Sequence, residues 1–266
     1  MFPRKTSYTP SDEMAFVGDP GLFRPDADEV HVSVTFTWDM KEGERLAGSW
    51  SDYYSVVRLG GVAYGMASNK FIPGMYVKDG VTFTTRGCNN NCPWCLVRKY
   101  EGKLQEIKDF TPGYIIADNN ILQASREHIE CVFDMLRKQK RATQFSGGIQ
   151  ASLVTNWFAD LLKTIRVSQL FLAADTKQAL RPLRKAMDIL KFLGRNKLRV
   201  YTMIGLESIE DATARMEAVW QMGGMPFAQL YQPPDKYIAY SREWKKLARA
   251  WSRPAIMKSI HKGGMT

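Results

Sequence analysis

The chain is poor in cysteine. Four occur in 266 residues, and three of them, Cys88, Cys92 and Cys95, fall on one short stretch. Cysteines so few and so grouped exclude a disulfide framework and favour a metal or cluster site. Long apolar runs are also missing, so no segment reaches the length that a membrane span needs. The opening Met1-Phe2-Pro3-Arg4-Lys5 is not followed by the apolar stretch of a secretory signal. These absences predict a cytoplasmic protein with no membrane partner. Acid is short too: 27 Asp+Glu stand against 37 Lys+Arg, a formal charge of +10. That balance suits an anionic partner such as nucleic acid. The basic residues are spread over Arg137 to Arg141, Arg181 to Lys197 and Arg242 to Arg253, with no single arginine-rich run, and this also fits solvated helix faces.

What is present is a globular composition, 45% hydrophobic and 24% charged, in a chain long enough for a full core. Met1 to Ala27 reads as an irregular arm. Val30, Val32, Val34, Phe36 and Trp38 then alternate with polar residues, which predicts a strand. A helix over Met40 to Tyr53 and a strand over Ser55 to Ala63 complete one βαβ unit. Phe71 to Gly80 is a connector. From Val81 onward strands and helices alternate. Strands are expected at Val81 to Thr85, Tyr114 to Ala117, Ala142 to Phe145, Ser168 to Ala173, Leu198 to Ile204 and Pro226 to Tyr231. The intervening helices include Ser125 to Lys138, Leu153 to Ile165, Lys177 to Leu193 and Glu210 to Met222; a last helix spans Tyr240 to Trp251, before a polar tail.

Six strands joined in this way specify a parallel sheet with right-handed crossovers. Six βα units are two short of a full barrel. The expected fold is therefore α/β, a partial (β/α)6 barrel preceded by a small βαβ extension. The expected division is 1–80 for arm and extension, 81–235 for the barrel core, and 236–266 for a last helix and tail. Cys88, Asp118, Ser146, Asp175 and Gly205 follow successive strands, and such sheets bind ligands along that carboxyl edge. Gln144 and Ser146 could face the site or make ordinary strand-end hydrogen bonds. Gly147-Gly148 reads as a turn that permits close approach. Cys131, within a helix, reads as a small buried hydrophobe.

The cysteine stretch Arg86-Gly87-Cys88-Asn89-Asn90-Asn91-Cys92-Pro93-Trp94-Cys95 carries the most specific spacing. Three thiolates on one loop can face one point. Zinc with His128 or His31 as fourth ligand is one reading, although no second Cys/His pair has finger spacing. A 4Fe–4S cluster with three protein ligands and one open iron is the other.

At this point the sequence resembles the radical S-adenosylmethionine superfamily. Cys88-x3-Cys92-x2-Cys95 with Trp94 before the third cysteine, on the loop after the first barrel strand, is similar to that family's signature. The likeness covers Val81 to about Gln232. The fragments RGCNNNCPWC, IIADNN, QFSGGIQA and MIGLES, with VHVSVTFTW and RLGG before them, are similar to bacterial members with a cobalamin-binding-like N-terminal region. His31 lies in a strand and not in a D-x-H-x-x-G loop, so cobalamin itself is not expected.

The resemblance implies an enzyme that reductively cleaves S-adenosylmethionine at a 4Fe–4S cluster and abstracts hydrogen from a substrate the sequence leaves unidentified. Cys88, Cys92 and Cys95 would be its metal ligands. Trp94 would lie by the adenine, and one of Asp118, Asn119 and Asn120 would replace the family's Gly-Gly-Glu acid. Ser146, Asp175, Met203 and Gly205 would complete the cofactor site, and no catalytic residue is assigned. The partners implied are a one-electron reductant of the flavodoxin or ferredoxin type and a substrate, with charge favouring an anionic one or nucleic acid. The competing expectation is a non-catalytic iron–sulfur or zinc protein that binds nucleic acid.

Overall fold

A computed structural model describes residues 1–65 and 74–261. The connector expected at Phe71 to Gly80 lies partly outside the described residues, as does the end of the tail. The fold is α/β with a central sheet of parallel strands.

The first unit is β1 (Val30–Ser33), α1 (Met40–Ser51) and β2 (Val57–Gly60), with β1 and β2 paired in parallel. The strand expected to run from Val30 to Trp38 stops at Ser33 because the chain crosses closely there. A Cβ on Gly61 would lie 2.5 Å from the carbonyl oxygen of Val34. Val34 therefore bonds across to Gly60 and Ala63, and Thr37–Asp39 turns into α1. Val32, Val34, Leu46 and Trp50 are buried together in this unit's core.

The central sheet contains β3 (Val81–Thr82), β6 (Ile115–Ile116), β7 (Thr143–Ile149), β8 (Val167–Ala173), β9 (Leu198–Ile204) and β10 (Met225–Leu230). Its order is β10-β9-β8-β7-β6-β3, and every pairing is parallel. The alternation read in the sequence is thus the sheet order. Between β3 and β6 stand a short antiparallel pair, β4 (Thr85–Arg86) with β5 (Gln105–Glu106), and α2 (Val97–Glu101). The remaining crossovers are α3 (Arg126–Arg137), α4 (Asn156–Lys163), α5 (Leu180–Leu190) and α6 (Ile209–Gln221).

Sequence chemistry starts these helices. Ser125, Thr155 and Ser208 accept hydrogen bonds from the backbone N–H of His128, Phe158 and Asp211, which satisfies a donor that a helix start leaves free. Ser241 does the same for α7 (Arg242–Ser252). The helices bury Ile129, Val132, Phe133, Phe158, Leu162, Leu183 and Leu190 against Phe145, Leu170 and Leu172. Alternate residues point to the other face of the strands. There Phe171 stacks on Tyr201 at 4.6 Å, and Phe227 meets Tyr201 edge-on at 5.7 Å.

Three local expectations are corrected. Cys131 is exposed, because α3 turns Ile129, Val132 and Phe133 inward and leaves position 131 on the outer side. Gly147-Gly148 lies inside β7 and forms no turn; a Cβ on Gly147 would stand 1.6 Å from the carbonyl oxygen of Asp118, so only glycine fits. The tail beyond Trp251 continues as α8 (Pro254–His261), with Met257 buried.

Candidate ligand site at the carboxyl edge

The cysteine loop leaves β4 through Gly87. This residue has φ +76°, and a Cβ there would meet the Lys103 carbonyl at 2.2 Å. The loop is tied down by its neighbours. Cys88 N–H donates to the Gly102 carbonyl at 3.2 Å, and Cys95 N–H to that of Cys92 at 3.1 Å. Asn89 accepts from the Leu104 amide and donates its own amide to Gln123 Oε1. Glu101, buried at the end of α2, takes three donors: Arg86, the Gly87 amide at 3.0 Å and Asn119 Nδ2 at 2.6 Å.

A second knot consists of carboxamides. Gln150 Oε1 accepts from Asn90 at 3.0 Å, Asn120 at 3.1 Å and Gln123 at 3.2 Å. It joins the cysteine loop to the segments after β6 and β7. Asn120 is buried, so its amide acts as a fastener.

Asp118 is 2% exposed and faces back into the sheet. Its carboxylate accepts from the amides of Thr84 at 2.6 Å and Thr85 at 3.0 Å, and from the Thr84 hydroxyl. This explains why β3 ends at Thr82: the next free amides bond a side chain instead of a neighbouring strand. Burial pushes the Asp118 carboxyl above its usual range, against the opposing pull of the threonine hydrogen bonds.

Trp94, Asp175 and Met203 come together. Asp175 Oδ1 accepts from the Met203 amide at 2.9 Å, and the Trp94 indole lies within hydrogen-bonding reach of the same carboxyl. Burial raises the Asp175 carboxyl, while Met203, Arg215 and Trp94 oppose the shift. Cys92 and Cys95 are raised as well, first by burial; the other thiols and Asp175 add to it, so the loop is electrically connected to the end of β8. Burial therefore works against negative charge on the thiols and on this carboxyl alike.

Ser146 bonds inward, its hydroxyl donating to the Ile116 carbonyl at 2.9 Å. Its carbonyl accepts from the Tyr201 hydroxyl at 2.9 Å, and Tyr8 of the N-terminal arm reaches the same serine. Gly205, at φ +100°, lets Tyr240 close over it: a Cβ there would lie 2.4 Å from the tyrosine oxygen.

The structure adds residues that the sequence reading missed. Glu101, Gln123 and Gln150 have no local pattern that marks them. Arg215 does: it stands on the buried face of α6 with Ala212, Met216 and Val219. Its guanidinium bonds the carbonyls of Ala174 at 2.8 Å and Met203 at 2.7 Å, and pairs with Glu207. A cation at an apolar position was the available signal.

The metal expectation is overturned. Among the described residues, no group of three or more His, Cys, Asp or Glu side chains is arranged to hold a metal ion. Close spacing of Cys88, Cys92 and Cys95 in sequence therefore does not amount to a ligand set in the fold. The 4Fe–4S cluster with S-adenosylmethionine on its open iron, the radical enzyme built on it, and the iron–sulfur or zinc alternative are all corrected by this finding. Among the described residues, no helix is long and apolar enough to cross a membrane. Neither a family model nor a curated protein matches the chain.

Proposed function

We propose that this chain binds a small, uncharged ligand with a flat ring and several hydrogen-bonding groups, at the carboxyl edge between the cysteine loop and the ends of β7, β8 and β9. A nucleoside has these properties. In the same reading the central sheet curls as a partial (β/α)6 barrel, and the likeness of residues 81–232 to the radical superfamily is one of scaffold. The single observation that carries the proposal is Asp175. A half-buried carboxyl at a strand end, bonded to the Met203 amide and near Trp94, joins two segments where parallel sheets receive ligands.

Charge supports the ligand class. Burial at Asp175, Cys92 and Cys95 works against negative charge, which favours a ligand with neutral hydrogen-bonding groups. Trp94 supplies a flat face, and Asp175 supplies a polar acceptor beside it. The test is thermal unfolding with purine and pyrimidine nucleosides. A ligand at one hundred times its Kd adds about 2.7 kcal/mol to native stability. The expected result is a saturable rise in Tm with one of these compounds, lost in Asp175→Ala and Trp94→Phe. A chain indifferent to all of them, with the Cys95 alkylation rate unchanged in their presence, sinks the reading.

A further inference from the structure

The opposite edge of the same sheet has a different character. Parallel strands bring the segments that precede them to one edge, and adjacent strands lie about 4.8 Å apart. The segments before β7, β8 and β9 are residues 137–141, 163–166 and 191–197. Together they hold nine Lys or Arg and no Asp or Glu. Contacts knit them into one surface. Arg166 donates to the Lys140 carbonyl, and Arg137 Nε donates to Thr164 Oγ1 at 3.1 Å. Lys163 Nζ sits 5.5 Å from the Phe192 ring centre. Lys138, Lys140, Arg141, Arg166 and Lys197 are all exposed.

Helix termini account for part of this. The C-terminal ends of α3, α4 and α5 reach this edge, and a helix C-terminus favours cations. Arg137 and Lys163 have that role, and each is also paired with an acid one turn earlier, Asp134 and Asp160. Lys140, Arg141, Arg166 and Lys197 stand past the helix ends, on the approach to the strands, where that effect has faded. Flat rings are interleaved with them. Phe192 is 43% exposed, and Arg141 bonds the Tyr114 hydroxyl at 2.7 Å and lies over its ring.

We propose that this amino-edge belt binds single-stranded nucleic acid, with Lys140, Arg141, Arg166 and Lys197 on phosphates and Phe192 stacking an unpaired base. A basic track with an exposed ring is the chemistry that single strands use. The belt lies on the edge away from Asp175, so it stands independently of the ligand reading there.

The experiment is fluorescence anisotropy with a labelled single-stranded oligonucleotide, as RNA and as DNA, over a salt series. Lys140→Glu/Arg141→Glu/Lys197→Glu is compared with Arg242→Glu/Lys245→Glu/Lys246→Glu on α7, which changes net charge equally. The belt variant is expected to lose roughly tenfold or more in affinity at low salt, and to flatten the log K against log salt slope by about 2, three contacts at about 0.7 each. The α7 variant keeps most of its affinity. Phe192→Ala weakens the single strand and leaves a duplex of the same sequence unchanged. Circular dichroism confirms that each variant is folded. Equal losses in both triple variants, displacement by polyglutamate as readily as by oligonucleotide, or no binding at low salt would each overturn the proposal.

Discussion

Removing the Asp118 carboxylate tests how the carboxyl edge is held together. Thr84 and Thr85 are fully buried, and Asp118 is the acceptor for both amides and for the Thr84 hydroxyl. Asp118→Ala strands these donors away from water. Each of the three buried donors left unsatisfied costs about 1–3 kcal/mol, so the loss is about 3–9 kcal/mol, a large share of the 5–15 kcal/mol of a typical domain. Asp118→Asn keeps one oxygen for the two amides but replaces the acceptor of the Thr84 hydroxyl with an NH2 group, so it loses about 1 kcal/mol at acid pH. The two variants separate further with pH. Burial raises the folded carboxyl above its unfolded value. The aspartate's contribution is therefore complete below the unfolded pKa, about 3.9, and is lost as pH climbs through the raised folded value. Asparagine does not titrate, so its deficit narrows as pH rises. Urea unfolding followed by circular dichroism at pH 5 and pH 8 measures this. An alanine variant that loses less than about 1 kcal/mol, or an asparagine variant as unstable as alanine, would refute the reasoning.

Three further outcomes follow from the same geometry. Gly147→Ala places a methyl group on the Asp118 carbonyl, 1.6 Å away, and is expected to cost several kcal/mol or prevent folding; an unchanged Tm would show that β6 and β7 do not approach so closely. Asp175→Asn removes a charge that helps keep Cys92 and Cys95 protonated, so iodoacetamide should label Cys95 a few-fold faster at pH 8, whereas equal rates would separate the loop from the β8 end. Anaerobic incubation with iron and sulfide should leave no stoichiometric cluster; about four irons per chain, lost in Cys92→Ala, would restore the ligand set that the loop geometry denies.

Much of the fold was legible in the sequence because it rests on short-range chemistry. Apolar periodicity placed the helices, and Ser125 marked its helix start as read. Leu198 to Ile204 is a strand over the very residues expected. The misreadings occur where a distant partner decides. Val81 to Thr85 reads as one strand, yet Asp118, more than thirty residues away, takes the amides of Thr84 and Thr85 and ends the ladder. Gly147-Gly148 reads as a turn, yet the tight approach of the Asp118 backbone keeps it within a strand.

The cysteine stretch divides in the same way. Its sequence determined a tight loop after a strand, with Gly87 at the bend and polar side chains to anchor it. What the thiols face was decided by the tertiary structure, because Gln123, Gln150 and Glu101 come from separate segments and meet the loop only once the sheet has formed. The basic belt follows the same division. Its charges are spread along the sequence, and only parallel pairing of β7, β8 and β9 draws three separate segments to one edge. Local pattern specifies which elements form, since helix and strand preferences act over a few residues. The neighbours of each side chain depend on chain closure across tens of residues, which no local pattern encodes.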